Sequence, residues 1–158
     1  MRMIYKESKK YLLQESLIKK CPRDSNSIMN LLKRAFVDLE TAERNITQDE
    51  ECAYNYAYTA MLRAGLALML SDGFRPEFRD KHLTVVRFVS SIVGEKYKRI
   101  VNDFDFMRRK RHRFIYEPGI PCSKKEAQDA LMIAGKLVNF ISNLIKKKSP
   151  QLEFDFTD

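Results

Sequence analysis

Residues 108–116 of the chain read RRKRHRFIY. From Arg108 to Arg113 every side chain is basic or can become so, and Phe114, Ile115 and Tyr116 follow. A guanidinium is planar, always charged and able to bind phosphate through two hydrogen bonds. Arg108, Arg109, Arg111 and Arg113, with Lys110 among them, therefore suit a grip on a polyanion. His112 is the group in this stretch that titrates near neutrality and can move a proton. The phenol of Tyr116, with an unperturbed pKa of about 10, is a poor base at neutral pH. On a helix Arg108, His112 and Tyr116 follow at intervals of four and share one stripe, with Arg111 beside it. Three readings compete: a solvated basic helix end, a grip on nucleic acid or nucleotide without chemistry, and a catalytic site. Cations near a helix C-terminus gain about 0.3–1 kcal/mol each from its dipole. Five Lys or Arg side chains in six positions exceed that need, and they repel one another.

The whole chain shares this bias. Its 158 residues carry a net charge of +8, with a pI of about 9.4, which favours a polyanionic partner, nucleic acid before anionic membrane. The length suits one domain, and 44 % hydrophobic residues exclude global disorder. Five Gly and five Pro argue against a turn-rich all-β fold. Cys21, Cys52 and Cys122 are odd in number, far apart and outside any C-x-x-C pair, so neither a disulfide framework nor a zinc knuckle fits. Reduced thiols in a cytoplasmic protein are the expectation. No metal or cofactor is expected. No apolar run reaches the ~18 residues of a membrane span, residues 1–11 have no signal-peptide core, and no membrane partner is expected.

The basic stretch needs a scaffold, and apolar spacing supplies one. The spacing predicts helices over about 27–46, 48–71, 81–93, 95–115 and 123–147. A leader helix over 5–20 ends at CPRDSNS and reads as a peripheral helix or arm. In the second helix Ala53, Ala57, Ala60, Ala64 and Ala67 form a stripe that lets a neighbouring helix approach closely, and that also allows a dimer. Tyr54, Tyr56 and Tyr58 read as core or dimer contacts before base-stacking platforms. Thr47 with Glu50, and Ser123 with Glu126, each predict a capping box. Gly73 suits a left-handed helix stop, and FRPEF after it reads as a connector. Asp80 is the expected cap of the third helix, whose valines leave strand as a minor alternative. His82 reads as a helix-start surface or packing residue. Pro118-Gly119 stops the helix that carries the basic stretch. The expected fold is all-α, an antiparallel up-and-down bundle of about five helices. Residues 1–26 form an arm, 27–147 the bundle and 148–158 a tail.

LLKRAFVDLETAERNI, AYNYAYTAMLRAGLALMLSDGFRP, KHLTVVRFV, RRKRHRFIY and SKKEAQDALMIAGKLVNFI occur in that order. In this order the chain resembles the HEPN family (higher eukaryotes and prokaryotes nucleotide-binding) over about residues 27–146. The resemblance implies a four- or five-helix bundle that pairs as a two-fold dimer, and a role in RNA binding or RNA cleavage. It also implies a toxin–antitoxin setting beside a minimal nucleotidyltransferase antitoxin. Active relatives carry R-N-x-x-x-H. Arg111 takes the Arg position, His112 the Asn position and Tyr116 the His position, so the chain departs from the pattern twice.

RNA cleavage without a metal needs a deprotonated 2′-hydroxyl, a stabilised phosphate and a protonated leaving oxygen. The resemblance gives the phosphate to Arg111, and His112, with Tyr116, becomes the candidate for proton transfer. Arg108, Arg109, Lys110 and Arg113 are the candidate nucleic-acid contacts, and Asn55 a candidate polar support. Binding of RNA or nucleotide by Arg111 without cleavage is the leading expectation. A metal-independent endoribonuclease is the alternative, and a helical adaptor for acidic protein a further one. Separately, QLEFDF, from Gln151 to Phe156, resembles short peptides that dock on bacterial sliding clamps; the competing reading is a tail whose Phe154 and Phe156 cover an apolar groove.

Overall fold

Buried apolar faces gather six α-helices and one two-stranded sheet among the described residues, 8–150 and 152, of a computed structural model. The order is α1 (Ser8–Gln14), β1 (Ile18–Lys20), α2 (Ser25–Asn45), α3 (Glu50–Ser71), β2 (Phe74–Pro76), α4 (Lys81–Val93), α5 (Lys98–Tyr116) and α6 (Lys124–Lys148). The fold is a mostly α helical bundle, as the periodicity predicts. α3 is the central helix. It packs chiefly on α2 and α6, and also on α4 and α5. It is apolar around most of its circumference, as a helix covered on several sides must be. Its five stripe alanines are all fully buried. A methyl group at Gly65 would overlap Cγ1 of Val85 and lie 3.1 Å from Cγ2 of Val89, so the missing side chain is what lets α4 approach. The small-residue stripe is thus consumed within the chain and offers no surface to a second copy.

Tyr58, Phe88, Phe104, Met61, Leu68, Leu137 and Ile141 are among the largest fully buried side chains, and such burial is worth about 1.5–3 kcal/mol for a side chain of Leu or Phe type. α4 buries Val85, Val86, Phe88, Val89 and Val93, whereas Leu83 is only half-buried. Among the described residues the one fully buried charged side chain is Asp38, at 0 % exposure. Nε of Arg63 lies 2.7 Å from its Oδ2, and Nε of Arg34 lies 3.3 Å from its Oδ1, so the ion pair ties α2 to α3.

Several expectations are corrected. The leader is not peripheral, because Leu12, Leu17 and Ile18 join the main core. Its helix ends at Gln14, and Ser16 adopts a left-handed φ of 54°. The chain then pairs antiparallel with β2, with Ile18 opposite Pro76 and Lys20 opposite Phe74. FRPEF is therefore partly strand. The T-Q-D-E segment forms no capping box. Asn45 O accepts from the N–H groups of Gln48 and Asp49, which leaves Thr47 in the connector. Asp49 caps α3 instead, its Oδ1 accepting from Cys52 N at 3.0 Å. Asp80 stands at the start of α4 with a left-handed φ of 50° but no side-chain cap. α5 begins at Lys98, preceded by a 3₁₀ turn over Glu95–Tyr97. Ser123 and Glu126 do form the predicted box at the start of α6. Gly73 is left-handed, at φ 83°, as its position after α3 predicts. No helix among the described residues is long and apolar enough to cross a membrane. Of the clamp-like segment only Leu152 is described, half-buried against the core; Gln151 and residues 153–156 lie outside the described residues.

Candidate phosphate site on α5

The C-terminal half of α5 is held by what lies beneath it. Val101, Phe104 and Met107 are buried, and this anchors the helix so that residues 108–116 emerge along its upper turns. Tyr58 of α3 stacks on Phe104 with ring centroids 5.7 Å apart, and Tyr54 meets Phe114 edge-to-face at 5.4 Å. Aromatic pairs of this kind fix the rotation of α5 on α3.

Most of the basic run is neutralised by neighbouring carboxylates. Arg108 donates from Nε to Asp105 at 2.9 Å, and Arg109 Nε lies 3.4 Å from the other oxygen of the same carboxylate. Arg113 reaches Glu117 at 3.1 Å. Lys110 turns across the bundle to Glu126 of α6 at 2.7 Å, passing beside the rings of Tyr54 and Phe114, and its side chain is only 12 % exposed. The Lys110 ammonium holds the Glu126 carboxyl below its ordinary range. The repulsion foreseen in the sequence is thus relieved by Asp105, Glu117 and Glu126. Arg111 is the exception: among the described residues no carboxylate lies within 4 Å of it. Its guanidinium carbon instead sits 5.5 Å from the centre of the Tyr58 ring, a cation–π arrangement that leaves the charge unpaired.

His112 and Tyr116 stack on the exposed side of α5, with ring centroids 4.5 Å apart, and Tyr116 is 69 % exposed. The imidazole that lies within reach of Arg111's charge on the inner side is His82. Its Nδ1 is 2.8 Å from the hydroxyl of Tyr58. Burial first, then the charges of Arg111 and Arg108, lower the pKa of His82 from its ordinary value. Burial likewise raises the Tyr58 phenol well above its ordinary range, so it keeps its proton. Asn55 is half-buried one turn before Tyr58 on α3, and its Oδ1 is buried without a hydrogen bond. Cys122 stands near Glu126, and burial pushes its thiol up to about 11, which removes it as a nucleophile at neutral pH.

Arg111, Tyr58 and His82 therefore meet from α5, α3 and α4, while the sequence reading placed His112 and Tyr116 beside Arg111 and left His82 aside. No local pattern joins Tyr58 to His82, which stand 24 residues apart. The available signal was that both fall inside the segments AYNYAYTAMLRAG and KHLTVVRFV quoted above. Among the described residues no group of three or more His, Cys, Asp or Glu side chains clusters as metal ligands would.

Neither the curated proteins nor the solved structures yield a match to the chain. The family described as "HEPN domain" matches residues 28–145, from the start of α2 to the last turn but one of α6, with the Arg-bearing end of α5 inside. The bundle and that match, which spans well over half of the sequence, make the chain a member of the HEPN domain family.

Proposed function

We propose that the chain binds the phosphates of RNA through the end of α5, with Arg111 as the phosphate-holding side chain. Membership of the HEPN family ties it to nucleotide- or RNA-related work. The observation that carries the proposal is the unpaired charge of Arg111: the four other cations of the run already face carboxylates. A guanidinium kept unpaired on an aromatic ring is ready for an incoming anion, and offers it two parallel hydrogen bonds. Arg109 and Arg113, more exposed, join at the cost of exchanging a surface partner worth about 0–1 kcal/mol.

The test is binding of a short unpaired RNA oligonucleotide across a salt series. Each phosphate contact on a single strand contributes about 0.7 to the slope of log affinity against log salt. Arg111→Ala is expected to lower the slope by about that amount and to weaken binding more than Arg113→Ala. No binding by the wild type at low salt would sink the proposal and favour the protein-adaptor reading. Competition by free nucleotide would widen the ligand class to nucleotides.

A second reading rests on the stack of His112 on Tyr116 in the same turn as Arg111. In it the chain is a metal-independent endoribonuclease, with Arg111 on the phosphate and His112 moving the proton. Cleavage of RNA in EDTA that is lost in both Arg111→Ala and His112→Ala supports it; cleavage that survives His112→Ala removes that role. The cellular setting we propose is a toxin–antitoxin pair with a minimal nucleotidyltransferase partner and a homodimeric HEPN subunit. Growth arrest on expression, relieved by Arg111→Ala, is its readout.

A further inference from the structure

We infer that Tyr58 and His82 form a positioning pair for Arg111, the phenol ring carrying the guanidinium and the hydroxyl–imidazole hydrogen bond fixing the ring. The inference rests on the reading of Arg111 as the phosphate grip. Tyr58 is 1 % exposed, so its hydroxyl cannot turn to water for a partner. A buried O–H must donate, and Nδ1 of His82 stands 2.8 Å away. Nδ1 then accepts and Nε2 carries the ring proton. That assignment needs a neutral imidazole. Burial, with Arg111 and Arg108 of α5, disfavours a third cation at the imidazole, and burial, aided by Asp105, keeps the phenol protonated against the pull of the same two arginines. Asp80 and Lys81 immediately precede His82 where α4 begins. Phe104 supports the ring from below, 5.7 Å away.

The arrangement matters because, among the described residues, Arg111 has no carboxylate to hold it. A long side chain without a partner samples many rotamers, and ordering it at binding costs affinity; a surface that orders it beforehand removes the cost. For one side chain that cost corresponds to about a two- to tenfold change in affinity. The imidazole acts through the phenol, so His82 is a positioning residue and does not touch the phosphate.

The experiment compares the wild-type chain with His82→Leu, His82→Gln and Tyr58→Phe, each confirmed as folded by its circular dichroism. Two quantities are read: affinity for a short oligouridylate at fixed salt, and the Nε–Hε resonance of Arg111, identified by its loss in Arg111→Ala. The Tyr58 ring current shifts that resonance whether or not RNA is present. His82→Leu and Tyr58→Phe are expected to weaken binding about two- to tenfold and to move the resonance toward that of exposed arginines. His82→Gln is expected to restore both, because its amide oxygen can accept from the phenol. Leucine fills the same space without an acceptor, so a pure packing role reverses the order. A folded His82→Leu or Tyr58→Phe that leaves the resonance and the affinity at wild-type values overturns the inference, as does leucine outperforming glutamine. If the wild type binds no RNA and the resonance still moves as described, the RNA reading falls and the positioning pair stands.

Discussion

Glu126 links the architecture of α6 to the electrostatics of α5, and replacing it separates the two. Its Oε1 lies 2.7 Å from Lys110 Nζ, its Oε2 accepts from Ser123 N at 3.2 Å, and its own N–H donates to Ser123 Oγ at 3.0 Å. Glu126→Gln keeps the reciprocal cap, since glutamine serves at that position too, and removes only the charge. Glu126 is 43 % exposed, so the lost ion pair is screened and worth about 0.2–1 kcal/mol. The lost negative charge in the first helical turn adds about 0.3–1 kcal/mol. The variant should therefore lose roughly 0.5–2 kcal/mol, seen as a fall of about 2–4 °C in Tm per kcal/mol for a chain of this length. Glu126→Ala also loses the cap hydrogen bond, about 0.5–1.5 kcal/mol more. The pH dependence has a definite sign. The carboxyl is held below its ordinary 4.5, chiefly by Lys110, so its stabilisation is present above that value and is lost as pH falls through the lowered one. Wild type and Glu126→Gln should differ at pH 7 and converge in acid. RNA affinity should move the other way. Lys110 is released and a negative charge is gone, so binding tightens and the salt slope grows by about 0.7. Melting curves and salt-series binding read both. A difference that persists unchanged in acid, or an RNA affinity that falls in Glu126→Gln, would refute the reasoning.

Two further outcomes test the scaffold. Arg63→Leu strands the fully buried Asp38 with only Arg34 opposite, at a cost of about 2–3 kcal/mol, below the usual range for a broken buried pair because Arg63 is itself partly exposed. Burial raises the Asp38 pKa against the pull of Arg63 and Arg34, so stability from this group declines as pH rises from its ordinary 3.8. The variant should steepen that decline, and urea unfolding at two pH values that shows wild-type steepness would count against it. Gly65→Ala forces a methyl into Val85 of α4 and should cost about 1–3 kcal/mol. Pairing it with Val85→Ala should return part of that loss in a double-mutant cycle, and simple additivity of the two would mean the helices do not approach as described.

The sequence by itself determined the features made by neighbours along one chain segment. The run from Ala53 to Ala67, the Ser123–Glu126 box and Gly73 involve residues within a few positions of one another, where helical geometry alone sets the contact. Even so, the Thr47–Glu50 pattern misled, because Asp49 competes for the same helix start and the hydrogen bonds to Asn45 O hold Thr47 in the connector. The leader misled because spacing reports a helical face but not a strand partner more than fifty residues away, which only the pairing of Ile18 with Pro76 supplies. In the site, the composition of Arg108–Tyr116 announced a polyanion surface, and the resemblance marked Arg111 within it. Arg108, Arg109 and Arg113 find their carboxylates within α5, three or four residues away, where helical spacing already places them; the surroundings of Lys110 and Arg111 were decided by tertiary structure. Lys110 meets Glu126 only because α6 crosses α5, and Arg111 meets Tyr58 and His82 only because α3 and α4 pack beneath it. Charge and hydrogen bonding act over a few ångströms in space, so a string of residues tells which groups are present, and the packing of helices tells which of them are left free to act.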